Sequence, residues 1–148
     1  MTDPLSDAPG WVRDLIAGVT EAGFSRVERS SPDQDFGDYY VTFARAETRI
    51  RVVRDRAQWR LDLTDECRAP NASGQRTWTN PARLRAVAEG TKDEGLIVES
   101  GEVSEVGWLV ANLDLVASLL GEVPTWSAVD NLGRQHAMRV LGLDLPDL

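Results

Sequence analysis

Between Tyr39 and Leu63 arginines fall between apolar residues at every second position, so that a β-strand would carry guanidinium groups on one face and hydrocarbon on the other. Arg49, Arg51 and Arg60, with Tyr40 on the same side, would form a surface able to receive phosphate or an acidic peptide, Tyr40 adding stacking. The plainer reading is a wet sheet face whose arginine stems cover apolar surface. The net charge of −8 favours the plainer reading, because it opposes general attraction to nucleic acid or anionic lipid and favours a basic partner.

Other chemistry has less support. His136 is the only histidine and falls on the apolar stripe of a helix, so it reads as a core side chain rather than a catalytic base. Cys67 is the only cysteine, which excludes an intramolecular disulfide, a CxxC redox pair and a thiolate zinc cage. Its neighbours Asp65, Glu66 and Arg68 would give a thiolate little net help. Paired carboxylates for acid–base work need a cleft that spacing alone does not reveal, so a small carboxylate-dependent enzyme is the weakest alternative. There is no GxGxxG or GxxxxGK[ST], and the acidic run lacks the alternating ligands of a calcium loop. No cofactor or metal is expected.

Charge is segregated along the chain. Glu89, Asp93, Glu94, Glu99, Glu102 and Glu105 are opposed locally by Lys92 alone, whereas the 38–63 stretch is rich in arginine. An acidic surface of this kind steers a basic partner and adds specificity. Arginine otherwise replaces lysine almost throughout, for which codon bias is a simpler explanation than selection for bidentate contacts. Of the tryptophans, Trp59 and Trp108 fall on apolar faces, while Trp78 stands in a polar stretch where an interface anchor would sit.

The elements that must position these groups follow from periodicity. Trp11, Val12, Leu15, Ile16 and Val19 predict a first helix over 9–22, capped by Ser6 or Asp7 and stopped by Gly23. A short strand follows over 24–30. Three strands then place Tyr39, Val41 and Phe43, Ile50 and Val52, and Trp59, Leu61 and Leu63 inward. With turns at Ala46–Glu47 and Asp55–Arg56, Val52 faces Trp59, Ile50 faces Leu61, Arg49 faces Asp62, and Arg51 meets Arg60, a mildly destabilising like-charge pair. Residues 64–79 form a long loop, then Asn80 and Pro81 open a helix ending before Gly90. Residues 96–98 make either a strand or an apolar anchor.

Ser104 to Leu120 predicts one central helix, apolar nearly all round and stopped by Gly121. Ser127 and Asp130 resemble a capping box for a last helix with Val129, Leu132, His136, Ala137 and Val140 inward. No apolar stretch reaches the roughly 20 residues of a membrane span, and residues 1–10 lack the basic start and apolar run of a secretory signal.

The 148 residues thus predict one α+β domain: an N-terminal helix, a three- to four-stranded antiparallel meander, then three helices on one sheet face, with 1–8 as a flexible lead-in. The leading functional expectation is a non-enzymatic cytoplasmic protein-binding module, of the kind of a bacterial toxin-immunity protein or a chaperone-like adaptor. It would use Trp78, Glu94, Glu99, Glu102 and Glu105 against a basic protein. Anion or nucleic-acid binding through Tyr40, Arg49, Arg51 and Arg60 is the alternative, and the open sheet face also leaves room for a second copy of the chain.

Overall fold

The computed structural model describes residues 8–29, 39–56, 58–97 and 102–142. Helix α1 (Gly10–Glu21) buries Val12, Leu15 and Val19 and is followed by Gly23 in a left-handed conformation with φ 98°. Its N-cap is Pro9, without a side-chain hydrogen bond, and the expected caps Ser6 and Asp7 lie outside the described residues. Four strands follow: β1 (Ser25–Arg29), β2 (Tyr39–Arg45), β3 (Thr48–Asp55) and β4 (Gln58–Asp65). They form one antiparallel sheet in sequence order.

The pleat sorts the side chains as their alternation requires. Tyr39, Val41, Phe43, Ile50, Val52, Leu61 and Leu63 are buried, while Arg49, Arg51 and Arg60 look the other way. The first hairpin turns at Ala46–Glu47, pairing Phe43 with Ile50 and Val41 with Val52 as expected. The second differs from the expected register by two residues: Ile50 pairs with Leu63, Val52 with Leu61 and Arg54 with Trp59. Asp55 pairs with Gln58, so the chain reverses after Arg56, whose φ of 52° is left-handed. A two-residue shift preserves which face each side chain occupies. It also replaces the Arg51–Arg60 confrontation with Arg51 opposite Asp62, and moves Thr64 opposite Arg49.

After β4 the chain bends back along its outer edge. Thr79 and Leu63 exchange backbone hydrogen bonds of 2.8 Å in both directions. Helix α2 (Pro81–Ala88) then begins where Asn80 accepts a hydrogen bond from the Arg83 amide at 2.8 Å. Asp93 caps a short 3-10 turn, Glu94–Leu96, so residues 96 and 97 are not a strand; Leu96 is 69% exposed, and residue 98 lies outside the described set.

The expected central helix is two helices, α3 (Glu102–Ala111) and α4 (Leu113–Leu120), bent by 83°. The break is at Asn112, whose side-chain amide donates to the Trp108 carbonyl at 2.8 Å, so that a side chain takes a carbonyl that a continuous ladder would use. Bending lets Val106 and Leu109 enter the core from one direction and Leu113, Val116 and Leu120 from another. Among the described residues four α-helices, where three were expected, therefore follow the sheet. Among the described residues no single helix is long and apolar enough to cross a membrane.

Helix α5 (Val123–Val140) starts earlier than expected, with Pro124 inside its first turn. Ser127 and Asp130 are consequently interior helical residues and form no capping box. The buried side of α5 is Thr125, Trp126, Val129, Leu132 and Gln135. His136, Ala137 and Val140, expected inward, are exposed. Gln135 takes the inward place because its amide satisfies two backbone groups of the preceding turn, accepting from Glu94 N at 3.0 Å and donating to Lys92 O at 2.9 Å.

Candidate partner-binding surface

The outer sheet face is built by the polar residues of the alternation together with the segment after β4. Pairing of Thr79 with Leu63 fixes the parity of that segment, so Thr79 is buried while Trp78 turns to the outer side. Thr64 Oγ1 donates to Thr77 O at 2.8 Å and holds the same segment down. Within the loop, the Asn71 side chain accepts from the amides of Ser73 and Gln75, each at 3.0 Å. The 66–78 loop is thus a folded cover on part of the face.

Arg51 is the centre of this surface. Its guanidinium carbon lies 4.0 Å from the Trp78 ring centroid and 5.8 Å from that of Tyr40, and its Nη2 donates to Asp62 Oδ2 at 3.0 Å. Tyr40 is fixed in turn by its hydroxyl, which donates to Glu28 Oε1 at 2.8 Å. Arg60 lies beside the same Asp62 and also Asp55, at 3.4 Å each. Arg49 Nε is 3.1 Å from Glu66, whose other oxygen is 2.8 Å from Arg76. Val27, Glu28, Thr42, Arg49, Glu66, Arg76 and Trp78 surround a recess of about 280 Å³.

The electrostatics of the face are balanced. Arg49, Arg51, Arg60 and Arg76 are interleaved with Glu28, Asp55, Asp62 and Glu66, and each arginine has a carboxylate within 3.4 Å. Arg49 is further committed to the carbonyls of Ala46 at 2.6 Å and Thr48 at 3.0 Å. An incoming phosphate would therefore compete with carboxylates already in place. The Arg60–Asp55 pair is exposed and contributes little to stability, whereas the Arg51–Asp62 and Arg49–Glu66 pairs are partly buried, and all of them fix where each guanidinium points.

The structure brings Tyr40, Arg49, Arg51, Arg60 and Trp78 onto one face, joining residues that the sequence assigned to two different surfaces. Of the acidic set, the described side chains Glu94 and Glu105 lie away from the Trp78 face. Glu94 is a fastener on the helical side: its Oε1 is 2.9 Å from His136 Nδ1 and its Oε2 is 3.2 Å from Arg139 Nη1. Glu105 lies on α3 beside Trp11 and Trp59. Glu99, like the Glu102 side chain, lies outside the described residues. Sequence reasoning did not single out Glu28, Glu66 or Arg76. The alternation Thr77-Trp78-Thr79 was the available signal that this segment runs as a strand-like edge.

Among the described residues no group of three or more His, Cys, Asp or Glu side chains is arranged to hold a metal ion. Cys67 is exposed, and its thiol is held above its ordinary pKa chiefly by a hydrogen bond to the Asp65 carboxylate, and then by the charge of that same group. Both favour the neutral thiol, so the thiolate fraction at neutral pH falls below that of a free cysteine. Alkylation by iodoacetamide at pH 7.5 should be slower than for a small-molecule thiol, and Asp65→Asn should accelerate it. An unchanged rate in that variant would contradict the assignment.

No protein-family model matches the chain, and comparison with curated proteins and with solved structures returns no match. The functional reading therefore rests on the surface itself.

Proposed function

We propose that the chain is a non-enzymatic protein-binding module that meets its partner through the outer sheet face, with Trp78 as anchor. The observation that carries this reading is the contact of the Arg51 guanidinium with both the Trp78 ring, at 4.0 Å, and the Tyr40 ring, at 5.8 Å. Trp, Tyr and Arg are the residue types that dominate binding hot spots. Here Tyr40 is already held by Glu28 and Arg51 by Asp62, so little of their side-chain freedom would be lost on association. The pairwise neutralisation of the arginines supports a protein partner over bare phosphate, and the overall charge of −8 supports a partner of basic character. A toxin-immunity protein or a chaperone-like adaptor acting in a reducing cytoplasm would need such a surface.

The test has two arms. Affinity purification with the tagged chain identifies a partner, and the purified pair then gives Kd for wild type, Trp78→Ala and Arg51→Ala, each variant checked for unchanged helix and strand content. A loss of about tenfold or more is expected for Trp78→Ala; wild-type affinity in both variants removes the outer face as the binding site. Titration with single-stranded RNA and DNA at two salt concentrations forms the second arm. Tight binding with a steep salt dependence would favour the anion reading through Tyr40, Arg49, Arg51 and Arg60 instead.

A further inference from the structure

Around the edge of β4 from Trp78 lies a second concavity, of about 130 Å³, lined by Trp11, Trp59, Arg60, Leu61, Asn80, Pro81, Glu105 and Val106. Its origin is topological. The α1 residue Trp11 and the α3 residues Glu105 and Val106 meet β4 where Asn80 and Pro81 turn the chain into α2. Leu61 and Val106, 7% and 5% exposed, give an apolar floor. Trp11 and Trp59 are half-buried walls packed on the core. The polar groups at the rim are Asn80, Glu105 and Arg60.

We propose that this recess receives the ammonium end of a lysine side chain from the protein partner, with Glu105 as counter-ion and the indoles of Trp11 and Trp59 as walls; the proposal rests on the protein-binding reading above. Two tryptophans and a carboxylate around a small pocket are the elements that recognise an alkylammonium group. The Arg54 guanidinium carbon already lies 5.9 Å from the Trp59 ring centroid, so the cation is assigned to Trp11 and Glu105, while Trp59 and the surrounding hydrocarbon accept the methylene stem. Glu105 already holds a contact within the protein, but a carboxylate offers about four acceptor sites and can take another donor. The like charge at the rim, Arg60, is balanced by Asp55 and Asp62, each 3.4 Å away.

The recess and the Trp78 surface are neighbours. Arg60 belongs to both, lining the recess and bonding to the Asp62 that holds Arg51, and Asn80 lies two residues after Trp78. One partner can therefore engage Trp78 and insert a lysine here. This gives Glu105 a role in binding a basic protein that does not depend on the rest of the acidic run.

n-Butylammonium, which carries the lysine head group and stem, is the probe, with 1-butanol as the neutral analogue of similar shape, read by the indole N–H resonances of Trp11 and Trp59 in the full chain. Saturable shifts confined to those two indoles are expected with the cation only, and Glu105→Gln should weaken the response by about tenfold. Because Trp59 packs on the core, Trp11→Leu serves as the aromatic variant, and it too should weaken the response. The inference is overturned if no saturable shift occurs, if the alcohol shifts the indoles equally, or if Glu105→Gln responds as wild type. Failure here leaves the affinity lost in Trp78→Ala untouched, so the two readings fail separately.

Discussion

Replacing Trp126 with alanine is expected to destabilise the protein by about 3–5 kcal/mol, the range for deleting a large buried aromatic side chain. Trp126 is 7% exposed and joins three parts of the fold. Its Nε1 donates to Leu120 O at 2.7 Å, which satisfies one of the carbonyls left over at the end of α4. The Arg68 guanidinium carbon stacks 3.8 Å from its ring centroid, and Arg68 Nη2 also donates to both oxygens of Asp130, at 2.9 and 3.2 Å. Truncation would leave a cavity, a carbonyl without its donor and a largely buried arginine without its platform. Trp126→Phe separates these effects. It keeps most of the apolar area and the stacking face but loses the N–H, so a smaller cost of about 1–3 kcal/mol is expected. Urea unfolding followed by far-ultraviolet circular dichroism gives both values; a cost below about 1 kcal/mol for alanine would show that α4 and α5 do not depend on this junction.

Face assignment within the sheet was legible because strand alternation has a period of two and Tyr39, Val41, Phe43, Ile50, Val52, Trp59, Leu61 and Leu63 share one parity, with Tyr40 and Val53 left on the outer face. Register in the second hairpin was not, since sliding by two residues leaves that pattern unchanged. Electrostatics carried the missing information. The register with turns at Asp55–Arg56 set Arg51 against Arg60, whereas the observed one sets Arg51 against Asp62 at 3.0 Å. A like-charge pair in an otherwise consistent alignment was thus a sign that the alignment was displaced.

The helices show the same division between local and non-local information. Asn80 followed by Pro81 marked the start of α2 because both act within one turn. The run from Ser104 to Leu120 looked continuous because its apolar residues mask a break made by one asparagine side chain bonding back to Trp108. The rotation of α5 was hidden for another reason. A buried glutamine is unexpected until the backbone groups of Lys92 and Glu94, more than forty residues earlier, are brought to it. His136 is then exposed and meets Glu94, a contact that no sequence spacing encodes. The candidate surface divides similarly: Tyr40, Arg49, Arg51 and Arg60 were legible from strand parity, but their union with Trp78 depends on the Leu63–Thr79 bridge that closes the loop.

Gly18→Ala is expected to destabilise the protein by about 1–3 kcal/mol, the cost of overpacking a tight contact, even though alanine in place of glycine inside a helix ordinarily stabilises by about 0.5–1 kcal/mol. The opposing term is the approach of α1 to α3. A Cβ at position 18 would lie 2.7 Å from Val110 Cγ1 and 2.9 Å from Cγ2, distances that require one helix or the valine to move. Valine is branched at Cβ and strongly restricted at χ1 in a helix, so rotation offers no inexpensive escape. The double variant Gly18→Ala/Val110→Ala tests this cause. Removing both valine methyl groups clears the space, so the two substitutions should couple, with the double variant more stable than the sum of the single changes predicts. Additive effects, or a stabilised Gly18→Ala, would mean that the helices separate without cost and that α1 is not held against α3 through this contact.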